Sequence, residues 1–318
     1  MPITSSRSRT HPFVYPFDRA AADRRNEAEL QAAYASDAAR TMLLIDMHAW
    51  VDKSVEGQRP LRWLTHEEIT AYELERVTPT FLGRDSAGAP RFMLALSEHR
   101  ARAIPAEPGT FSAVSELRSL AMTKSMDPGE IAVVGLARSL AHWQAKQRCC
   151  GVCGGHNELK DGGWRLKCWA CGQNHHPRYE PCVIMLVHDG ADHCLLGHEH
   201  RFVDQMYSTL AGFIEPGEDI EEAVAREVSE EVGVAVRDVQ YAFSQPWPFP
   251  YSMMVGCHCT ADKDAPLTLD PEEIVDARWF HRDEVRRMLA GEHEDGLTVP
   301  APFSLAHGLI EQFVDGES

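Results

Sequence analysis

Like charges placed on the apolar side of a helix restrict a fold tightly, and residues 212–234 (GFIEPGEDIEEAVAREVSEEVGV) carry that pattern. At 3.6 residues per turn Ile220, Val224 and Val228 share one arc, which should face a core, and Glu227 and Glu231 fall inside it. Glu230 lies on the edge of the arc, three residues from Glu227 and next to Glu231, so three carboxylates come within reach of one another. Carboxylates turned toward an apolar face repel and resist desolvation unless cations neutralise them. Divalent metal is the simplest source of that charge. Mg²⁺ and Mn²⁺ are hard ions that share their shell with phosphate oxygens, which points to phosphate chemistry. Gly233 stands where a left-handed turn ends a helix, while Gly212 and the Pro216-Gly217 pair shape the loop that leads in. Arg226 is placed to pair with Glu218 and hold that loop against the helix. A solvated surface helix is the competing reading, and charges on the apolar arc count against it.

Upstream, Cys150 and Cys153, then Cys168 and Cys171, form two C-x2-C pairs separated by fourteen residues, each followed by glycine. That spacing suits a tetrahedral four-cysteine zinc ribbon, whose closed thiolate shell leaves no position for catalysis. Such a zinc is structural. Cys149 adjoins the first ligand, but Cys150 keeps the two-residue gap. Disulfides would need an oxidising compartment, and no secretory signal is read here. Cys182, Cys194, Cys257 and Cys259 lie in strand-like apolar runs and read as core residues.

Ten residues past the end of this 212–234 segment comes Ser244-Gln245-Pro246-Trp247-Pro248-Phe249-Pro250-Tyr251-Ser252. Alternate prolines stiffen the backbone, and rigid aromatic faces suit stacking on a flat heterocycle. Ser244, Gln245 and Ser252 add hydrogen-bonding groups. Seen alone, such a run reads as a proline-rich connection packed on a core.

Together these motifs resemble a known family. The pattern G-x5-E-x7-R-E-V-x-E-E-x-G-V matches the Nudix hydrolase box at every position, and residues 244–252 are similar to the SQPWPFPxS run that separates NADH pyrophosphatases from other Nudix enzymes. The resemblance covers roughly residues 110 to 318. It implies hydrolysis of the pyrophosphate of NADH or NAD⁺ to nicotinamide mononucleotide and AMP, and extends to removal of NAD from RNA 5′ ends. Carried over by position, it implies Mg²⁺ or Mn²⁺ ligands at Glu227, Glu231, Glu273 and the carbonyl of Ala211, with two or three ions bound. Glu218, Arg226 and Glu230 complete the catalytic group, Glu230 or Glu231 orienting water or taking its proton. It places substrate contacts at Phe213, at Gln245, Pro246, Trp247, Pro248, Phe249, Pro250, Tyr251 and Ser252, at His176, and at Ala306. It also implies a homodimer. Two departures bear on substrate: His176 stands where relatives commonly carry tyrosine, and Gly163 where some carry glutamate.

A net charge of −17 over 318 residues argues against a broad grip on nucleic acid, which relies on a basic surface. Capped RNA fits if the grip is on its NAD end. No run reaches membrane-span length, and the cytosol is the expected compartment. Arg7, Arg9 and Arg19 faintly suggest a transit sequence that Asp18 and Asp23 weaken.

The length allows two domains and a small module. Residues 1–39 read as flexible, 40–147 as an N-terminal α+β domain, 148–178 as the ribbon and 179–318 as a Nudix α/β/α sandwich with a mixed sheet. Thr41 to Trp50 and Arg91 to Ser97 read as strands, and Asp127-Pro128 caps a helix running to about Arg148. Arg118 reads as a solvated helix arginine or as a phosphate contact. The expected segments beyond the ribbon are a hairpin at 182–187 and 193–196, strands at 234–243, 253–259 and 277–280, and helices at 282–290 and 303–314. Two alternatives stand beside NADH hydrolysis: a Nudix hydrolase of ADP-ribose or dinucleoside polyphosphates, against which the proline-aromatic run argues, and a non-catalytic nucleotide-sensing or nucleic-acid-binding module, which would be expected to have lost box carboxylates.

Overall fold

The computed structural model describes residues 13–54, 56–102, 104 and 112–317, arranged as two compact units. Arg7 and Arg9 lie outside the described residues. One unit comprises Phe13–Tyr179 with Pro248–Tyr251, the other Glu180–Trp247 with the segment from Ser252 onward.

The first unit runs α1 (Glu27–Tyr34), β1 (Arg40–Ile45), β2 (His48–Asp52), β3 (Trp63–Leu64), α2 (His66–Ala71), β4 (Thr80–Arg84), β5 (Pro90–Leu96), α3 (Glu98–Ala101), β6 (Ser112–Ser115), α4 (Leu117–Met122), α5 (Pro128–Lys146), β7 (Asn157–Lys160), β8 (Arg165–Cys168) and β9 (Asn174–His175). Its sheet has the order β4-β5-β1-β2-β6 with β3 on β1, and β1 and β5 are parallel. The run from Thr41 to Trp50 is a hairpin rather than one strand. Asp46 and Met47 make its turn at φ 45° and 67°, and an apolar methionine there hides the turn from a hydropathy reading. Helix α1 lies where a flexible segment was expected. Asn26 caps it, and Leu30 and Tyr34 are buried, the tyrosine ring 4.9 Å from Phe92. Asp127 caps α5 through the Gly129 and Glu130 amides, with Pro128 in its first turn, as the sequence predicts.

The ribbon forms the three-stranded sheet β7-β8-β9 and groups with residues 13–147 in this unit. Gly163 is buried at φ 87°, and its carbonyl accepts from Gln144 Nε2 at 2.8 Å. A Cβ there would lie 2.5 Å from Thr80 Oγ1, so packing alone demands glycine at this departure from the family pattern.

The second unit runs β10 (Glu180–His188), β11 (His193–Glu199), β12 (Leu210–Phe213), α6 (Ile220–Val232), β13 (Val236–Trp247), β14 (Ser252–Ala261), β15 (Ile274–His281), α7 (Arg282–Ala290) and α8 (Leu305–Asp315). Its sheet has the order β13-β14-β10-β11-β15 with β12 on β10, and β10 and β14 are parallel. Strand alternation divides the core: Val183, Met185 and Val187 pack with Val224 and Val228 of α6, whereas Ile184 and Leu186 pack with Leu309, Ile310 and Phe313 of α8. Helices thus cover both faces, giving the expected mixed α/β sandwich. Cys182, Cys194, Cys257 and Cys259 are all buried here. Ser244 to Trp247, read as loop, continue β13 in register with β14, and Pro246 is tolerated because β13 is an edge strand. Only Pro248–Tyr251 turns.

Replacing Gly163 by alanine forces the added methyl into Thr80 at a left-handed backbone, and the expected cost is about 1–3 kcal/mol. Urea unfolding should show that loss with zinc content unchanged; equal midpoints would refute the packing argument.

Candidate active site

Helix α6 begins with a reciprocal cap between Asp219 and Glu222 and ends at Gly233 in the left-handed region, φ 74°. These ends fix which face it turns inward. Ala223, Val224, Val228 and Val232 are buried, and between them Glu227 is 8% and Glu231 4% exposed, while Glu230 stays exposed. The carboxylates expected on the apolar arc are therefore inside.

Among the described residues Arg226 is the guanidinium at hydrogen-bond range of Glu227 and Glu230, while Arg201 pairs with Glu199. Arg226 bonds Glu218 through Nε at 2.6 Å, Glu227 through Nη1 at 2.9 Å and Glu230 through Nη1 at 2.9 Å, and it donates to the Phe213 carbonyl. It ties loop to helix as its spacing implied. Hydrogen bonding from Arg226 holds Glu218 down at about 2, and the same pairing raises Arg226 further. Burial instead raises Glu227, and it pushes Glu231 up to about 8, with the charges of Glu227, Glu199 and Glu273 adding to the effect. The Ala211 amide donates to the Glu231 carboxylate, but Glu231 Oε2 is buried with no hydrogen-bond partner. A desolvated oxygen facing other carboxylates fits a divalent cation that supplies the missing charge. The backbone makes room for this: a Cβ on Gly212 of β12 would fall 1.9 Å from the Glu227 carboxyl carbon. Glycine is required there because the carboxylate occupies the space.

Among the described residues, the group of three or more candidate ligands whose donor atoms all lie within 4.8 Å of one another is Cys150, Cys153, Cys168 and Cys171. Cys150 and Cys171 sulfurs are 3.8 Å apart and those of Cys153 and Cys168 3.5 Å. A tetrahedron with arms of about 2.3 Å has edges of about 3.8 Å, so the four sulfurs fit zinc. The Cys171 amide donates to Cys168 Sγ and lowers that thiol to about 6.

The remaining expected residues separate. In the second unit Phe213 is 57% exposed, whereas Gln245 is fully buried, its Nε2 donating to the Phe303 carbonyl at 2.8 Å. Ser252 pairs with Trp247 in the ladder, and Trp247 stacks on Phe303 at 6.0 Å and 15°. Ala306 is buried on α8 in the core. In the first unit Arg118 and Arg138 lie 5.0 and 5.8 Å from the Phe249 ring, and Lys146 donates to Tyr251 Oη at 2.6 Å. Arg118 thus stacks on an aromatic ring. His176 is exposed beside the ribbon. Sequence reasoning missed Phe303, Arg138 and Lys146, which are far in sequence from what they touch. It also missed Glu199, which the β11–β15 register sets opposite Ile274, next to Glu273.

With this geometry in view, relatives of known kind can be set beside the chain. Residues 178–299 match the NUDIX domain family, and residues 25–143 the NADH pyrophosphatase-like rudimentary NUDIX domain. The chain is 39% identical over 239 residues to the NAD-capped RNA hydrolase NudC of Mycobacterium bovis, covering 73% of this chain and 74% of that protein. The same figures hold for NudC of Mycobacterium tuberculosis. To the human NAD-capped RNA hydrolase NUDT12 it is 40% identical over 194 residues, 58% of this chain and 42% of that one. A Nudix hydrolase structure from Nitrosomonas europaea aligns over 53% of this chain and 91% of its own at 18% identity and a TM-score of 0.42. The chain belongs to the Nudix hydrolases, in the family of the NudC NAD-capped RNA hydrolases.

Folding raises Glu231 above the ordinary carboxylate value of 4.5, so between pH 4.5 and about 8 the folded chain holds a proton that the unfolded chain has released. The metal-free protein should therefore lose stability as pH rises through that window, by up to about 1.4 kcal/mol per pH unit from this group. Denaturant melts in EDTA across the range should show the slope in the parent and a flatter one in Glu231→Gln; parallel slopes would contradict the assignment.

Proposed function

We propose that this chain hydrolyses the pyrophosphate of NADH or NAD⁺, and of the NAD cap on RNA, to release the mononucleotide and an AMP end. The observation that carries the reading is the buried Glu227–Glu231 pair, Glu227 held by Arg226 and Glu231 with an unfilled oxygen. The names of its NudC relatives supply the substrate class.

Glu227, Glu231, Glu273 and the Ala211 carbonyl are the proposed holders of Mg²⁺ or Mn²⁺. Bound there, such ions offset charge on the phosphate oxygens and lower the pKa of water. Glu218 and Arg226 fix the end of β12 and the loop after it, and Phe213 at that end offers an exposed ring to a flat base or nicotinamide. Gln245, being buried, positions Phe303, and Phe303 backs Trp247. In the reaction water oxygen bonds to one phosphorus while the bond from that phosphorus to the bridging oxygen breaks. Glu230, exposed and bonded to Arg226, is the carboxylate best placed to take the proton from water, because Glu227 and Glu231 are spent on ions. Zinc in the ribbon serves structure alone. The expected assembly is a homodimer, and the expected compartment is the cytosol; no helix among the described residues is long and apolar enough to cross a membrane.

Product analysis with NADH, NAD⁺, ADP-ribose and NAD-capped RNA, each with Mg²⁺ and with Mn²⁺, should give mononucleotide and an AMP end from the first two and the last. Glu231→Gln keeps the shape of the side chain and should lower kcat/KM by at least about 100-fold. A variant that hydrolyses NADH at near-parental rate would defeat the proposal.

A further inference from the structure

Beside the ribbon lies a cavity of about 510 Å³, with Gln147, Gln173, Asn174, His175, His176 and Arg178 on its wall; of these the family resemblance assigns only His176 to substrate, and none of the proposed metal-holding carboxylates lines it. Its volume falls in the range of small-molecule sites, about 300–1,000 Å³. The wall is polar and lacks any acidic residue, in a chain with 48 acidic and 31 basic side chains. Lys146 and Arg148, both exposed, flank Gln147 in the chain. Local positive charge against an acidic whole points to an anionic ligand.

The wall also has a defined proton. Trp143 Nε1 donates to Gln147 Oε1 at 2.8 Å, which turns the Gln147 amide nitrogen to His175 Nδ1 at 3.0 Å. His175 Nδ1 therefore accepts, and the neutral ring carries its proton on Nε2. That Nε2 is buried with no acceptor among the described residues. Gln173 Oε1 and Asn174 Nδ2, the ends left after Gln173 Nε2 donates to the Asn174 carbonyl and Asn174 Oδ1 accepts from Arg165, can pair with base edges, and Arg178 suits phosphate; together they describe a nucleotide site. The ribbon also exposes Val152 and Trp169, the latter 80% accessible, as apolar faces on which bases stack.

We infer that this cavity binds a phosphorylated ribonucleotide of an RNA strand. The inference rests on the reading above in taking RNA, rather than another polyanion, as the occupant. It supplies a local grip on the RNA body in a chain whose overall charge would repel one.

The test is fluorescence anisotropy with a short, uncapped, 5′-phosphorylated single-stranded RNA, on the intact zinc-loaded protein, over a range of salt. Arg178 is exposed, so Arg178→Gln should fold normally; Arg178→Gln combined with His175→Asn is the stronger variant, and zinc content and melting check both. Expected is about tenfold weaker binding in the double variant, with the log–log salt slope shallower by about 0.7 for each phosphate that the variant no longer neutralises. NADH hydrolysis should persist in Arg178→Gln, and free AMP should compete poorly. Unchanged RNA affinity in Arg178→Gln and the double variant overturns the inference, as does equal displacement by polyglutamate. Joint loss of RNA binding and NADH hydrolysis also overturns it, since the cavity would then belong to the dinucleotide site. Parent protein that binds RNA here yet leaves NADH intact would instead defeat the proposed function and spare the cavity.

Discussion

The second unit is organised around a conflict between hydrophobic packing and charge. Helix α6 buries valines at 224, 228 and 232 against the sheet, and the same face buries Glu227 and Glu231. Removing a carboxylate from water costs several kcal/mol unless opposite charge follows it. Arg226 answers part of that charge but divides itself among Glu218, Glu227 and Glu230. The unsatisfied remainder is the ground for proposing a cation at this site. Local backbone details follow from it: glycine at 212 because the Glu227 carboxylate fills the space a side chain would take, and a capped, sharply terminated α6 because a slip of one residue would swap buried glutamates for exposed ones.

Much of this was legible in the chain because its causes are local. The 3.6-residue period placed Glu227 and Glu231 inside, the i to i+8 spacing paired Arg226 with Glu218, and the cysteine spacing brought four sulfurs together. The helix at 282–290 and the cap at Asp127 were likewise written in neighbouring residues. What escaped had non-local causes. Tertiary burial of Leu30 and Tyr34 orders α1 in a segment whose composition reads as polar. Sheet register, not motif, sets Glu199 near Glu273. The proline-aromatic run illustrates both: its composition was informative, yet its first half is an edge strand whose glutamine is buried, because ladder pairing to β14 outweighs the turn-forming tendency of proline.

Gly163 shows how a departure from a family pattern can be read physically. The resemblance casts that position as one where some relatives carry a substrate-binding glutamate. In this chain the residue is buried against Thr80 with a left-handed backbone, and its carbonyl holds Gln144. A longer side chain has no room, so glycine here fills a packing role of its own and is more than a missing carboxylate.

The two metal-suited groups divide the work by hardness and geometry. Four soft thiolates at tetrahedral spacing, each knuckle braced by amides donating to sulfur, close a shell that admits no fifth partner. The carboxylates do the reverse: they come from a helix, a strand end and a loop, no three of them among the described residues bring their oxygens within 4.8 Å of one another, and Glu231 Oε2 is left without a partner. A cation held there as proposed would keep coordination positions for phosphate and water, which is the condition for hydrolysis and the opposite of a structural site. The same incompleteness explains why the acidic balance of the chain does not bar an anionic substrate. In the proposed site, charge that would repel a diphosphate would become the means of holding the cations that attract it.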